Sequence, residues 1–358
     1  KRYSPDFQTQ DEFAKGWQSA LKKAHHTSGQ KSVITCGCRG KGEKRLYVRA
    51  LPNGDAFILV KAANTGIEHD PSCVFFSLDA RHTGLKGYAS GVVRITTEGD
   101  MAVRLGIGMT EKDPPEKSEV PPLPHVQRPE GGQASMTLLG LLSLLWTESG
   151  LNVWYPKMAG KRNDSLVRYR LLETAKQIRT GRACIGDHLF IGVPDPKQPV
   201  AQSQIQRLSS QAMSDKRLML LSVLPRYDAE KHEKPLKFLP LRNFGGLPLI
   251  FFNSEGHWDS VKKRFSSEYA AWQSGAKLVV FALTSPAAVT GRGPSVRAHQ
   301  IVLMHVSENW IPLDSSYEAV VAEKLDAEHR QYVKPMRYDA SISEVFPDFY
   351  LLDTKSDK

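Results

Sequence analysis

The sequence predicts an α+β, multidomain protein: a small β-rich N-terminal domain, a helical middle and an α/β C-terminal region. Three observations lead there. The chain has 358 residues, more than one typical hydrophobic core organises. A proline-rich stretch, residues 110–135, interrupts it. Across that stretch the apolar period changes from strand-like alternation to helical spacing.

Before the stretch, "RLYVRAL" and "AFILVKA" flank "PNGD", whose Asn53-Gly54 is a hairpin signal. "GYASGVVRITTEG" and "MAVRLGIGM" read as a second hairpin turning at Gly99-Asp100. Residues 1–109 therefore form the β-rich domain. The 26 residues that follow carry six prolines and a Gly-Gly pair, which sustain neither a helix nor a central strand, and read as an exposed linker.

Beyond it, Ser135 is placed to cap "MTLLGLLSLLWTES", with Gly150 ending the helix. Asp164 caps a second helix, "DSLVRYRLLETAKQIRT", and "VAQSQIQRLSSQAMS" reads as a third. These make a helical domain at 136–215. In 216–313, residues 217–225, "KLVVFALT" and "QIVLMHV" read as buried strands, with "HWDSVKKRFSSEYAAWQS" as one helix between them. In 314–358 the helix "SSYEAVVAEKLDAEHRQY" precedes the strand "DFYLLDT".

Chemistry concentrates in the cysteines. Cys36-x-Cys38 precedes the first hairpin and His69-x-x-x-Cys73 follows it, so the turn returns the chain to its start and lets the four groups converge. Three thiolates and an imidazole are a tetrahedral set for structural zinc, with no position left open for catalysis. Gly37 would permit the bend that aims both sulfurs at one ion. Buried free thiols or a redox pair are the alternatives. Arg39, Lys41, Lys44 and Arg45 would offset the charge of a three-thiolate site. Cys184 reads as a core residue.

Charge points to a partner. The chain has 48 Lys+Arg against 38 Asp+Glu, formally +10, which favours a polyanion. Residues 151–217 hold 12 Lys+Arg and five Asp+Glu. Here "WYPKMAGKRND" places Trp154, Tyr155, Lys157, Lys161 and Arg162 between two helices, and Arg168, Arg170, Lys176 and Arg179 follow. This resembles a helix-turn-helix addressing DNA phosphates, with aromatic rings available to stack on bases. A solvated basic face with both rings in the core is the alternative.

The cysteine pattern, "LLWTESGLNVWYPKMAGKR", "SENWIPLDSSYE" and "YVKPMRYDA…FPDFYLLDT" together resemble a bacterial domain-of-unknown-function family, encoded largely on plasmids and integrative mobile elements. The resemblance implies action in DNA transfer, replication or maintenance, and other mobile-element proteins as partners. The C-terminal part is similar to the start of a PD-(D/E)xK nuclease fold. That likeness implies Glu318 and Asp348 as ligands of Mg²⁺, which would activate water against a phosphodiester. The second acid and the lysine of such a site would lie past Lys358. Asp353 is five residues from Asp348, so strand alternation points the two to opposite faces.

No stretch approaches the ~20 apolar residues of a membrane span, the opening residues have no apolar signal core, and cysteine usage suits a reduced cytoplasm. GxxxxGK[ST], HExxH and GxSxG are absent, which argues against a phosphate-loop motor, a zinc protease and an α/β hydrolase. The reading is a cytoplasmic, zinc-containing DNA-binding protein without membrane attachment. A Mg²⁺-dependent nuclease, incomplete within these residues, is the alternative.

Overall fold

The structure, a computed structural model, describes residues 2–9, 11–27, 34–50, 56–62, 65–70, 73, 75, 91–96, 100–111, 134–211, 214–242, 245–291, 293–336 and 347–354. The chain forms two compact units, Lys1–Asp79 with Ile95–Gly99 and Ala80–Arg94 with Asp100–Lys358.

The first unit opens with two helices, α1 (Pro5–Thr9) and α2 (Ala14–Thr27), separated by a 3-10 turn. Strands β1 (Ile34–Thr35), β2 (Arg45–Ala50) and β3 (Phe57–Lys61) make an antiparallel sheet in that order. β2 and β3 pair from Leu46–Lys61 to Ala50–Phe57, as the hairpin signal predicts. The turn at Asn53-Gly54 lies outside the described residues. Helix α2 is an element that the strand-rich reading of this region did not single out. Its Trp17, Leu21 and Ala24 recur at helical spacing and pack with Val48 and Phe57 into a small core. The Gln18 amide also pairs with both backbone groups of Phe57, at 2.8 and 3.0 Å, occupying a sheet position that strand pairing leaves open.

β4 (Val93–Ile95), β5 (Met101–Val103), β7 (Ile178–Thr180) and β8 (Ala183–Cys184) form one sheet. Between them the chain makes α3 (Leu138–Glu148), β6 (Val153–Trp154) and α4 (Asp164–Ala175). α3 is apolar all round because it is buried all round. Its cap is Thr137, whose hydroxyl accepts from Gly140 N–H at 3.2 Å, and not Ser135. Gly150, at φ +67°, takes the chain out of it. α4 is capped by Asn163 and not Asp164. It ends at Ala175, five residues before its predicted end, because Ile178–Thr180 pair with β5 and β8 instead.

After α5 (Ile185–His188) comes the main sheet, built of β9 (Leu189–Ile191), β10 (Met219–Val223), β11 (Leu249–Phe252), β12 (Lys277–Thr284), β13 (Ala288–Thr290), β14 (Gly293–Val306) and β15 (Pro312–Leu313). The order is β11-β14-β12-β10-β9, with β13 and β15 pairing β14. β12 is buried along almost its whole length, which explains its unbroken apolar run. Helices α6 (Pro199–Gln211), α7 (Ala229–His232), α8 (His257–Arg264), α9 (Ser266–Gln273) and α10 (Ser316–Ala327) surround it, and β16 (Tyr332–Val333) and β17 (Tyr350–Leu351) form a sheet with β6. The helix expected over 257–274 is two helices, broken at Phe265, whose φ/ψ of −111°/48° is not helical. One hydrophobic cluster runs from Val92 to Met336, so the segments expected as separate domains after residue 136 share a core. No described helix is long and apolar enough to cross a membrane.

Candidate metal centre and basic surface

Residues 36–44 connect β1 to β2, and the ladder continues one bond past the strands, Cys36 N–H donating to the Lys44 carbonyl at 2.9 Å. That bond closes the loop and holds both of its cysteines at its base. On the other side, a 3-10 turn at Gly66–Glu68 delivers His69, and Cys73 follows, its N–H bonded to the Asp70 carbonyl at 2.7 Å.

The two loops interlock. Asp70 N–H donates to Cys38 Sγ at 3.2 Å, and the Lys44 ammonium donates to the Cys38 and Gly40 carbonyls at 2.8 and 2.9 Å. A Cβ on Gly40 would lie 2.1 Å from the Glu68 oxygen and 2.4 Å from the Asp70 nitrogen, so only glycine lets the loops touch. Gly37 has open space around it and no left-handed φ, which corrects the expectation that it permits the bend.

Cys36, Cys38, His69 and Cys73 are positioned to bind a metal ion. Their ligand atoms lie within 4.8 Å of one another. Cys36 Sγ is 3.6 Å from Cys73 Sγ, and His69 Nδ1 is 3.7 Å from both Cys38 Sγ and Cys73 Sγ. Metal–sulfur bonds of about 2.3 Å at tetrahedral angles require sulfur–sulfur edges of about 3.8 Å, close to this spacing. His69 is 2% exposed, and its Nε2 has no hydrogen-bond partner among the described residues. The imidazole is held by its Nδ1 contacts to the two sulfurs and by packing, including the Phe75 ring at 5.7 Å.

The thiols are unequal. Cys36 is pushed down to about 4, first by the hydrogen bond from the Cys73 thiol, while that bond and then burial push Cys73 up. Three coexisting thiolates need a cation to offset their repulsion.

The cations predicted to meet DNA divide sharply. Lys157 and Lys161 are exposed and Arg168 is half-buried, its pKa lowered by burial. Arg162 and Arg170 are buried, which removes them from contact with phosphates and corrects that expectation. The Arg162 guanidinium donates to the carbonyls of Leu151 and Asn309 at 3.0 and 3.1 Å and to that of Val153, and lies 5.4 Å from the Trp154 ring. Burial pulls its pKa down to about 9, leaving it charged at neutral pH. Lys176 is paired with Glu173 at 2.6 Å, and Arg179 with buried Asp100 at 2.9 Å. Trp154 and Tyr155 are core residues, so neither offers a ring to a base. Between α3 and α4, residues 149–163 include a strand and a 3-10 turn, which is not the three- or four-residue turn of a helix-turn-helix.

Glu318 is buried at the third position of α10. Its N–H donates to the Ser315 hydroxyl at 3.2 Å and its carboxylate accepts from Asp314 N–H at 2.9 Å. The same carboxylate is 2.7 Å from Lys334, a 2%-exposed lysine that also reaches Asp314 at 2.9 Å. Burial raises the Glu318 pKa, against the pull of these partners. Sequence reasoning missed Lys334; a lysine beside the apolar strand "YV" was the available signal. Asp348 is exposed. Asp353 receives Arg330 through two bonds, at 2.9 and 3.0 Å, and this pair holds its carboxyl at about 2. Among the described residues, the Cys/His set is the one group of three or more potential ligands.

Residues 5–358 match a family described as "Protein of unknown function (DUF1173)". None of the curated proteins compared matches, and no solved structure does.

Proposed function

We propose, from the premise that the chain belongs to the DUF1173 family, that it is a zinc-containing DNA-binding protein acting in the transfer, replication or maintenance of a bacterial mobile element. The observation that carries this reading is the preorganised Cys36, Cys38, His69, Cys73 cluster. It sits in a loop whose Arg39 and Lys41 are exposed, in a chain of net charge +10. Soft thiolate and imidazole donors at tetrahedral spacing favour zinc over the hard cations. A closed four-ligand site stabilises structure and performs no chemistry. The surrounding cations, together with Lys157, Lys161 and Arg168, supply the phosphate contacts.

The test has two arms. Metal analysis of purified protein is expected to give one zinc per chain, lost in Cys36→Ser with Cys73→Ser; absence of zinc rejects the site. Anisotropy titration with duplex DNA is expected to show affinity that falls steeply with salt. Each phosphate contact removed by Lys157→Ala or Lys161→Ala should lower the log–log salt slope by about 0.9. No binding at low salt rejects DNA as the partner.

A further inference from the structure

In the second unit, α9, the end of β14 and α10 wall a cleft of about 730 Å³. Its lining reverses the charge of the chain as a whole: Glu268, Glu308, Asp314, Glu323 and Asp326 meet only Lys277 and His305. Three of these carboxylates are engaged. Glu308 holds Lys277 at 2.8 Å, Asp314 holds Lys334 at 2.9 Å, and Asp326 accepts from Asn309 and Tyr332 at 2.7 and 2.8 Å. Glu268 and Glu323 form no ion pair among the described residues. Burial, with Asp314 nearby, raises the Glu268 pKa, which marks a carboxylate short of a counter-charge.

His305 is a second and independent feature. It is 8% exposed, lines the cleft, and its imidazole has no hydrogen-bond partner among the described residues. Burial lowers its pKa, with Asp314 opposing, which favours the neutral ring, and a neutral imidazole has a lone pair to accept a proton donor.

α10 adds an apolar lip. Ser316, Ala319, Glu323 and Asp326 line the cleft at helical spacing. The adjoining stripe exposes Tyr317 (83%), Val320 (65%) and Val321 (46%). Tyr317 belongs to both surfaces.

We propose that this cleft docks a basic peptide segment of a partner protein, an Arg or Lys side chain entering among the carboxylates and His305 while apolar neighbours cover Tyr317, Val320 and Val321. Guanidinium and ammonium groups carry only donors, which matches a wall of acceptors. Phosphate would be repelled there, so this surface is separate from any DNA contact and does not depend on the DNA-binding reading. A free polyamine would satisfy the carboxylates and leave the apolar stripe uncovered.

The test uses the whole chain and a short fluorescein-labelled peptide alternating arginine with leucine, followed by anisotropy. Glu268→Gln with Glu323→Gln should weaken binding about tenfold or more, and Tyr317→Ala about threefold. Glu230→Gln with Glu255→Gln, exposed carboxylates outside the cleft, should leave it unchanged. Unaltered binding by the cleft variant, with its circular dichroism spectrum intact, overturns the proposal. So does equal binding of a glutamate–leucine peptide. Displacement by spermine at matching concentration, with Tyr317→Ala without effect, would assign the cleft to a small polyamine instead.

Discussion

Gly37 and Gly40 show how far a single position can be read from spelling. Both stand in the loop carrying Cys36 and Cys38, and the sequence singles out Gly37 because it separates the thiols. The physical demand falls on Gly40, where any side chain would enter the Glu68–Asp70 backbone. Gly40→Ala is expected to destabilise the first unit by about 1–3 kcal/mol and to weaken metal retention, because the interlocked loops must part. Gly37→Ala should change stability by no more than about 0.5 kcal/mol. Thermal unfolding with zinc content measured on both variants checks this, and loss of metal in Gly37→Ala alone would reverse the assignment. Arg162 and Lys161 make a similar pair of neighbours. Arg162→Ala strands buried carbonyls of Leu151, Val153 and Asn309 and should cost about 3 kcal/mol or more. Lys161→Ala, at an exposed position, should be near neutral in stability and visible only in DNA affinity. Urea unfolding of the two variants would show it, and equal midpoints would contradict the structural role given to Arg162.

At the scale of elements, what could be read was whatever local pattern determined alone. β2, β3 and β12 were legible because alternation or an unbroken apolar run needs no knowledge of the partner strand. α3 was legible because its leucines recur at helical spacing and Gly150 stops it. Elements decided by distant partners were not. The end of α4 depends on Ile178–Thr180 finding β5, whose residues lie beyond the proline-rich stretch. The break between α8 and α9 depends on Phe265, 4% exposed, turning into the core of the second unit at the expense of helical continuity. Helix propensity across 257–274 gives no hint of that anchor. Phe265→Ala should therefore cost about 3–5 kcal/mol through the cavity it leaves. A urea midpoint shift below that of an ordinary surface substitution would mean that the break has another cause. The metal ligands were legible as residue types and spacing. Their second layer was not, because Lys44, Glu68 and Asp70 contribute through backbone and carboxylate bonds that no motif spells.

At the scale of the molecule, the question is whether a chain proposed to bind DNA would also cut it. A phosphodiesterase of the kind the C-terminal resemblance implies needs carboxylates free to share a metal, because the ion must both activate water and offset the charge developing on phosphate. Glu318 is not free. It is buried against Lys334, and lending it to Mg²⁺ would leave a buried ammonium with only the exposed Asp314 carboxylate. Separating a buried pair in this way costs several kcal/mol unless the metal site returns it. Asp348 stands in solvent, and Asp353 is held by Arg330. The expected outcome is that supercoiled plasmid incubated with the protein and Mn²⁺ stays intact, while the same preparation retards the plasmid at low salt. Nicking or linearisation that disappears in Asp348→Ala would show that Glu318 does release Lys334 and that the carboxylates assemble when DNA and metal are present. Cleavage that survives in Asp348→Ala and in Glu318→Gln would place hydrolysis at other residues altogether.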